Sequence, residues 1–596
     1  MSREKADRES RGFHAGPDGF RVFTTMTEAF QVKGRNSEAL FTLKVHRGEG
    51  MALLAMNWKK GKPPEDFVGF GIEYREPGGD RFFAVKNRLS FTEPAPGQDR
   101  RSESSLLAPI QKFRWVHFPR NAELPGEFLF RVTPVFMNAE DELSYGAAQE
   151  VPIELRRETY PGHLNVTFTR GFVSSQAFVD RFESAGSISK LLPAKAEDGL
   201  RFTPTHAKAK EALPWMGFEA RNAILDVLDQ AIADKKAQVR VVAYDLSEPD
   251  VVSRLEKLGS RLQIIIDDDA AHGKAGSGET QAAKRIEASA GKGNVERQHM
   301  GKLQHNKTIV VDGPQVQRVV CGSTNFSWRG FFVQANNAVV LTGATAVKQF
   351  GAAFDAYLQH SNDAPAFGET ASAKMTTLGL EGINARVGFS PHATSNAMLE
   401  KIATDIGQAK SSVLYSLAFL FQTEGPVRDA IKKVTKDKNI FVYGISDKKV
   451  GGIEVQTPDG NLAPVNPAAL GKDAPEPFKS EPKGGGGNRM HHKFVVIDFD
   501  KPTARVYLGS YNFSSPADTK NGENLLLIRD RRIAVAYAVE ALRIFDHYQF
   551  RLTQQDKKKK KEKLVLARPP RGQGEKAWWV EDYTDPHKIR DRELFD

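Results

Sequence analysis

Two patterns of apolar residues divide the chain, and the first is the pattern of an all-β domain. Between residues 20 and 160, short apolar runs such as GMALLAMNW and GEFLFRVTPVFM alternate with turn clusters such as GKPPED and EPGGD. Strands that recur every roughly ten to twenty residues between turns are typical of an antiparallel sandwich. We therefore expect a β-sandwich-like accessory domain over 20–160, after a disordered N-terminus over 1–19. The sequence does not identify a partner for this domain.

The second pattern, from residue 161 onward, alternates helices with buried strands. NAILDVLDQAIADKK predicts an amphipathic helix, and VRVVAYD and LQIIIDD predict buried strands. Continuous apolar strands between helices favour a largely parallel sheet covered on both faces. SNAMLEKIATDIGQAK and SSVLYSLAFLF repeat the same order later in the chain. We therefore predict two α/β halves over 161–375 and 376–555, followed by a basic linker and C-terminal tail over 556–596.

One short motif occurs twice in the α/β region. HNKTIVVD and HHKFVVID both follow the pattern H-x-K-x4-D, and a GSxNFS segment follows each of them. Eleven positions after the asparagine of that segment, the first copy has Asn336 and the second has Glu523. Four parts at nearly fixed spacing exclude coincidence as an explanation. The other residues concerned are His305, Lys307, Asp312, Ser323 and Asn325 in the first copy, and His491, Lys493, Asp498, Ser510 and Asn512 in the second.

The residue types in this motif suit the binding and cleavage of a phosphate ester. In HNKTIVVD the side chains of His305 and Lys307 alternate onto one face of a predicted strand. A lysine neutralises phosphate-like charge, and a histidine can attack or donate a proton. The GSxN segment adds a hydroxyl and an amide that can donate hydrogen bonds at a turn. The residues alone therefore predict an anion-binding strand that is present twice.

These motifs resemble the signature of the phospholipase D superfamily, which is H-x-K-x4-D followed by GSxN, present twice in single-chain members. The resemblance extends from about Gly162 to Arg551 and is sharpest at the two motifs. It implies two similar α/β halves whose motifs meet at one pseudo-twofold active site. It also implies cleavage or transfer of phosphodiesters through a covalent phosphohistidine, without a metal or cofactor. The expected fold is therefore α/β, with two pseudo-repeated halves preceded by the all-β domain.

The two copies differ at the residue that would orient each histidine. Attack requires a neutral imidazole whose second nitrogen holds its proton against an acceptor, while the other histidine protonates the leaving oxygen. In relatives resembling tyrosyl-DNA phosphodiesterases, the orienting residue comes from the opposite half. By that resemblance Glu523 would orient His305 as the nucleophile, and Asn336 would orient His491 as the acid. If each half pairs internally the two roles are exchanged, and the sequence leaves both arrangements open.

The resemblance also implies parts for the remaining motif residues. Two lysines and two asparagines would hold the non-bridging phosphate oxygens: Lys307, Lys493, Asn325 and Asn512. Ser323 and Ser510 would support them as hydroxyl donors, and Asp312 and Asp498 would be structural. Asn336 stands where the family usually has an acidic residue. This departure affects the roles of the histidines and leaves the position of the site unchanged.

The composition of the chain limits which partners and which cellular location we expect. The chain has 84 basic and 74 acidic residues, and its formal charge of +10 is compatible with a polyanionic partner. The lysine run from Lys557 to Lys561 could be a phosphate-binding tail or a solvated hinge. No apolar run approaches the ~20 residues of a membrane span. The N-terminus lacks the apolar core of a secretory signal, so we expect a cytoplasmic protein in which the single cysteine, Cys321, is a buried core residue.

Three hypotheses about the function follow. The favoured one is a nuclease, because both copies end in GSxNFS, which resembles nuclease-like members, and because the charge is basic. The alternative is a phospholipase D or phosphatidyl transferase, since the segment NLAPVNPAAL could contact a bilayer. Lipid-handling members more often read GSANxNxRS or GSANxDxRS at this position. A binding protein without catalysis is the least favoured, because both motifs are intact.

Two further segments lie next to the motif strands. Asp267 to Asp269 end a predicted strand and suggest a metal site, but we favour a loop, because the chemistry implied by the family needs no metal. A long irregular insert runs from Lys448 to Asn488, directly before the second motif. Loops of this length are uncommon and often functional. We therefore expect the insert to cover the active site.

Overall fold

The computed structural model describes residues 29–92, 102–155, 158–171, 178, 181–418, 420, 424–446, 490–560 and 565–596. The N-terminus predicted to be disordered over 1–19 and the insert from Lys448 to Asn488 lie outside these residues. The lysines from Lys557 to Lys560 end the last long helix, but the described side chains stop before them, and Lys561 lies outside the described part.

The N-terminal region forms two antiparallel sheets that pack face to face. The order of the first sheet is β1-β2-β3-β8, and that of the second is β10-β9-β4-β5 with β11 added to β9. A short pair, β6 and β7, lies beside them. These strands are β1 Gln31–Lys33, β2 Phe41–Gly48, β3 Met51–Trp58, β4 Phe67–Arg75, β5 Phe82–Ala84, β6 Lys86–Asn87, β7 Glu103–Ser104, β8 Arg114–His117, β9 Glu127–Met137, β10 Leu143–Tyr145 and β11 Gln149–Glu154. Apolar side chains from both sheets fill one core between them, which confirms the all-β prediction.

The first α/β half is built on a seven-stranded sheet of order β12-β18-β17-β16-β13-β14-β15 in the described part of the chain. The strands are β12 Leu164–Phe168, β13 Gln238–Ala243, β14 Leu262–Ile266, β15 Val295–Arg297, β16 Lys307–Asp312, β17 Gln317–Gly322 and β18 Asn337–Thr342. The helices are α1 Ala209–Ala233, α2 Pro249–Leu258, α3 Gly278–Ala290, α4 Trp328–Phe332, α5 Ala344–Gln359 and α6 Ala364–Gly368.

The second half repeats this plan, with the sheet order β19-β20-β25-β24-β23-β21-β22. Its strands are β19 Thr376–Thr377, β20 Asn384–Ser390, β21 Ser412–Leu417, β22 Phe441–Ile445, β23 Lys493–Ile497, β24 Arg505–Gly509 and β25 Glu523–Arg529. Its helices are α7 Ala397–Gly407, α8 Pro426–Thr435, α9 Ser515–Thr519 and α10 Arg531–Lys560, and α11 Pro586–Leu594 ends the chain. Short 3-10 turns occur at Glu183–Ala185, Ile188–Lys190, Ala196–Arg201, Gly259–Arg261, Lys292–Asn294, Ala371–Ala373 and Glu581–Tyr583.

The prediction of a largely parallel sheet is wrong. Only the β13–β14, β14–β15 and β21–β22 pairs are parallel, and the other strand pairs of both sheets are antiparallel. Each motif strand forms a hairpin with the next strand, as in the tight turn where Gly313 N donates to Val316 O. Helices cover the faces of both sheets, so antiparallel strands are buried on two sides and are as apolar as parallel ones.

The two halves share one hydrophobic core, and the C-terminal segment returns to the β sandwich. Apolar side chains of both seven-stranded sheets form a single cluster. Beyond α10, Trp578 stacks on Phe113 with ring centroids 5.2 Å apart. Arg114 of β8 pairs with Asp546 of α10 at 2.6 Å and with Asp591 of α11 at 2.7 Å. The segment predicted to be a tail therefore packs against folded structure, while the exact domain limits stay predictions.

Candidate functional site

The two motif strands bring their histidines to one point between the halves. β16 and β23 begin at Lys307 and Lys493, and each histidine lies two residues earlier. The ring centroids of His305 and His491 are 6.3 Å apart. Both side chains are almost completely buried. A space of this size between two imidazoles suits a tetrahedral phosphorus in contact with both rings.

Main-chain hydrogen bonds between the halves hold this arrangement. His491 N donates to Ala335 O at 3.2 Å, and Gly522 N donates to Leu303 O at 2.9 Å. The segment before each motif histidine is thereby tied to the segment before the orienting residue of the other half. The local register therefore places each histidine against the opposite half.

The residue that faces each histidine comes from the opposite half. His491 Nδ1 lies 2.8 Å from Asn336 Oδ1 and 3.2 Å from the carbonyl oxygen of Ser323. His305 Nδ1 lies 3.2 Å from Glu523 Oε1. Pairing between halves was one of the two arrangements that the sequence left open, and the alternative within each half is not the geometry of the structure. In each case Nε2 is the nitrogen left to face the substrate.

Glu523 is held in place by donors of its own half. Its side chain is fully buried. Oε2 accepts a hydrogen bond from Asn512 N at 2.8 Å, and Oε1 accepts one from Asn521 Nδ2 at 2.9 Å. Burial raises the pKa of Glu523 to about 7, against the effect of these donors and of Lys307. The carboxylate is therefore poised to titrate close to neutral pH.

Burial and charge keep both histidines neutral. Removal from solvent lowers the pKa of His305 and of His491 well below 6.5, and the ammonium groups of Lys307 and Lys493 lower both further. Burial also lowers the pKa of Lys307 to about 7, although Asp245, Glu523 and Asp267 oppose it. An anion bound between the lysines would relieve this repulsion, and it would raise the pKa of the imidazole that must give up a proton.

The GSxN turns have the same construction in both halves. Gly322 has φ of 128° and Gly509 has φ of 142°, which favour glycine. A Cβ on Gly322 would lie only 2.6 Å from the carbonyl oxygen of Asn337. In each turn the serine hydroxyl accepts a main-chain hydrogen bond at 3.0 Å, Ser323 from Asn337 and Ser510 from Asn524. The turns are therefore fixed against the strands that carry the orienting residues.

The asparagines of the two turns have unused hydrogen-bonding capacity. Asn325 and Asn512 are mostly buried, and the Oδ1 atom of each has no hydrogen-bond partner. Lys307 Nζ and Lys493 Nζ donate to the main-chain oxygens of the two motif histidines. Each lysine side chain therefore lies on the same side of its strand as the imidazole of its motif histidine. A buried polar atom without a protein partner is able to bind a polar ligand.

The two motif aspartates lie at the far ends of their strands and differ from each other. Asp498 is fully buried and accepts hydrogen bonds from Lys410 N at 2.7 Å and Ser411 N at 2.9 Å. Asp312 is exposed, and its contact with Gln317 Nε2 is 3.4 Å long. Neither aspartate reaches the histidines in this geometry.

Three residues that the sequence did not single out adjoin the first histidine. Tyr244 and Asp245 follow β13, and the Tyr244 ring lies 4.7 Å from the His305 ring between centroids. His272 contacts Asp245 at 3.4 Å and Asp267 at 2.8 Å. The available signal was the polar ending of VRVVAYD, a strand that the sequence did predict. Without the β13–β16 pairing nothing in that ending indicates a catalytic neighbour.

Among the residues that the structure describes, two groups of side chains could hold a metal ion by geometry alone, and both include His272. They are Asp245, His272 and Glu279, and Asp267, Asp269 and His272, with ligand atoms within 4.8 Å of one another. Although burial opposes it, hydrogen bonds to Asp245 and Asp267 raise the pKa of His272 to about 11. A protonated imidazole has no lone pair for a metal. The histidine therefore balances the carboxylates as a cation.

Comparison with known proteins agrees with this description. A family model described as cardiolipin synthase, PLD-like domain matches residues 228–358 and 402–545, one segment in each half. A phospholipase D of Rickettsia prowazekii is 45% identical over 47 residues, which are 8% of this chain and 21% of the relative. A phospholipase D of Rickettsia felis is 43% identical over 47 residues, or 8% and 22%. The chain thus spans about a fifth of the length of these relatives.

The comparison with solved structures matched two further proteins. Phosphatidylserine synthase of Haemophilus influenzae matches with a TM-score of 0.39 and 13% identity, over 63% of this chain and 93% of that chain. Nuc of Salmonella typhimurium, a phospholipase D family member, matches with a TM-score of 0.18 and 20% identity, over 29% and 95%. With the family model present in both halves and the motif intact in each, the chain belongs to the phospholipase D superfamily.

Proposed function

We propose that this protein is a phosphodiesterase that acts through a covalent phosphohistidine on His305, with His491 as general acid and base. The observation that carries the proposal is the pairing between halves. One histidine faces a carboxylate at 3.2 Å and the other faces an amide at 2.8 Å, across a gap of 6.3 Å between ring centroids. A carboxylate increases the basicity of its imidazole, whereas an amide only orients it.

The reaction would have two displacement steps. In the first, the bound phosphate anion raises the pKa of His491, which takes up a second proton on Nε2. His305 Nε2 then attacks phosphorus, the bond to the leaving oxygen breaks, and His491 gives its Nε2 proton to that oxygen. In the second, His491 takes a proton from water, the water oxygen attacks phosphorus, and the bond to His305 breaks. Glu523 holds the Nδ1 proton of His305 throughout. An alcohol in place of water would give transfer instead of hydrolysis.

The remaining motif residues would stabilise the phosphoryl oxygens. In this proposal Lys307 and Lys493 supply positive charge from opposite sides, and the amides of Asn325 and Asn512 turn their donors toward the same oxygens. Positive charge in a buried site stabilises an anion more strongly than it does in water. Neither step requires a metal ion, because the two ammonium groups take the place that a cation would have.

Nucleic acid is the substrate that we favour. We propose that the protein acts on it in the cytoplasm. The support is the basic excess of +10 and the GSxNFS ending of both turns. Neutralising nucleic-acid phosphates releases counterions, so log K should fall by roughly 0.7 to 0.9 per contact against log salt. The affinity of the inactive His305→Ala variant for a labelled oligonucleotide across a salt series tests this.

The five lysines from Lys557 to Lys561 can be tested in the same series by changing them to glutamine. Substitution is preferable to truncation, because truncation would also remove Trp578 and Trp579 from contact with the β sandwich. A shallower salt slope in the glutamine variant would show that the lysines contact phosphates. An unchanged slope would assign them to a solvated hinge.

Phospholipid is the second candidate, and the names of the relatives favour it. The matched curated proteins are called phospholipase D, and the matching family model is described as a domain of cardiolipin synthase. Purified protein assayed in EDTA against single- and double-stranded nucleic acid and against phosphatidylcholine separates the two. Choline release, together with no oligonucleotide binding at low salt, would overturn the nuclease proposal.

A further inference from the structure

In the first half, two residues that follow β13 lie beside the motif histidine and lysine. Ala243, the last residue of β13, pairs with Lys307, and Tyr244 and Asp245 continue from it along the site. Lys307 Nζ lies 4.6 Å from the centroid of the Tyr244 ring. The rings of Tyr244 and His305 are 4.7 Å apart at an angle of 66°. One aromatic ring therefore contacts both motif side chains of this half.

The carboxylate of Asp245 is held rigidly next to them. Ser327 Oγ, at the end of the GSTNFS segment, donates to Asp245 Oδ2 at 3.3 Å. His272 Nε2 approaches Asp245 Oδ1 at 3.4 Å, and its Nδ1 lies 2.8 Å from Asp267. Although burial opposes it, the hydrogen bond to His272 lowers the pKa of Asp245, so the group is a carboxylate at neutral pH.

This carboxylate acts on the first histidine and its lysine. The charge of Asp245 raises the pKa of both His305 and Lys307, against the larger effect of their burial. Its side chain keeps 24% of its surface exposed, so it lines the opening and is not sealed beneath it. Positive charge that forms on the His305 ring would therefore have a second carboxylate nearby, in addition to Glu523.

The equivalent positions of the second half hold different residue types. Leu417, the last residue of β21, pairs with Lys493 as Ala243 pairs with Lys307. The next two residues in the sequence are Ala418 and Phe419. In the sequence, alanine therefore stands where the first half has the tyrosine and phenylalanine where it has the aspartate, and Phe419 lies outside the described residues. This asymmetry is independent of the difference between Glu523 and Asn336.

We propose that Tyr244 and Asp245 are positioning residues that stabilise positive charge on the His305 ring and so commit the phosphoryl group to that histidine. The inference rests on the proposed function. When His305 Nε2 bonds to phosphorus and the leaving oxygen departs, the ring becomes an N-phosphorylated imidazolium with its proton still on Nδ1. An aromatic ring and a carboxylate both stabilise such a cation. His491 only exchanges a proton, so it does not need an aromatic ring and a carboxylate beside it.

The test isolates the first step with bis(4-nitrophenyl) phosphate as the probe. Because 4-nitrophenolate leaves without protonation, the rate of its pre-steady-state burst reports attack by the nucleophile. Tyr244→Ala and Asp245→Asn should each slow the burst about ten-fold, while Tyr244→Phe, which keeps the ring, should stay near the native rate. Asp355→Asn is the matched control, because this exposed carboxylate pairs with Arg240 away from the site. It should not change the burst.

A second readout locates the phosphoryl group by mass spectrometry of peptides from protein quenched at alkaline pH. The native protein should carry it on His305 alone, and the Tyr244→Ala, Asp245→Asn double variant should carry a measurable part on His491. Native burst rates in both single variants would overturn this inference while leaving the proposed function intact. A native protein that carries no phosphohistidine would overturn both. If Tyr244→Ala fails to fold, Asp245→Asn decides alone, because its side chain is partly exposed.

Discussion

Ionisable groups surround the histidine of the first half, whereas the histidine of the second half faces an amide and a main-chain carbonyl. His305 faces Glu523, with Tyr244 and Asp245 beside it, and His491 faces Asn336 and the carbonyl of Ser323. The strands, turns and main-chain hydrogen bonds around the two are nearly the same. A repeated sequence can therefore keep its fold while the surroundings of its repeated side chain diverge. Most of the chemical information lies in that divergence.

The two histidines should both be indispensable but distinguishable. On an alkyl phosphodiester, His305→Ala and His491→Ala should each lower turnover by at least about 10⁴-fold, because nucleophile and acid act as one unit and their losses do not add. With bis(4-nitrophenyl) phosphate, His491→Ala should still release about one equivalent of 4-nitrophenolate. His305→Ala should release none. A burst in His305→Ala and none in His491→Ala would reverse the assigned roles.

The orienting residues should give the next largest effect. Glu523→Gln should lower kcat by about 100-fold, because an amide cannot stabilise charge on His305. The native protein should lose activity as pH falls below about 7, since burial raises the pKa of Glu523 to about 7 and its protonated form has no negative charge to stabilise the His305 cation. The variant should lack that acidic limb in a kcat against pH profile.

Asn336→Asp is the matched change in the other half. It gives both histidines a carboxylate partner, and activity should stay within about ten-fold of native. An effect as large as that of Glu523→Gln would show that His491 depends on the neutrality of its partner. In that case a negative partner would be required beside His305 and harmful beside His491.

The sequence predicted the centre of the site well and its surroundings poorly. The equivalent places of His305 and His491, just before two strands, followed from a motif whose spacing is local. Which residue faces each histidine did not follow, because the sequence left pairing within and between the halves open. The sheet type did not, because strands covered on both faces are apolar whichever way they run. The contact of Tyr244 with His305 and the return of Trp578 to the β sandwich each depend on long-range packing. Local patterns contain no information about such contacts.

Substituting the two motif aspartates should change the stability of the protein to different extents and leave its activity unchanged. Asp498 has φ of 55° and accepts main-chain hydrogen bonds from Lys410 and Ser411, and a further one from Thr503 Oγ1 at 3.0 Å. Asp498→Asn keeps the shape and tolerates this φ, but it loses charged acceptors in a buried place. The free energy of unfolding should fall by about 2–3 kcal/mol.

The matched Asp312→Asn variant should change the free energy of unfolding by less than about 0.5 kcal/mol, because that side chain is exposed. Urea titrations of both variants, read by circular dichroism, make the comparison. Equal losses in the two variants would mean that the exposed aspartate has a partner in solution. Loss of turnover in a fully folded Asp312→Asn variant would mean that it takes part in the reaction.

Chelation should have the smallest effect, and it tests the acidic cluster around His272, which lies in the first half. His272 lies close enough to two acidic pairs to hold a cation with either one, so a bound metal would make the halves differ by a cofactor as well as by a side chain. The pairs are Asp245 with Glu279, and Asp267 with Asp269. The raised pKa of His272, about 11, keeps the imidazole protonated and already paired with Asp245 and Asp267. Two lysine ammonium groups supply the charge at the phosphate. Activity after dialysis against millimolar EDTA should therefore equal that of the untreated protein, and adding Mg²⁺ or Zn²⁺ should not raise it.

His272→Gln serves as the companion variant, because a metal held there would be released while the motif residues stayed in place. Activity that vanished in EDTA and returned with one added cation would replace the proposed metal-independent reaction by one that depends on the first half's carboxylates.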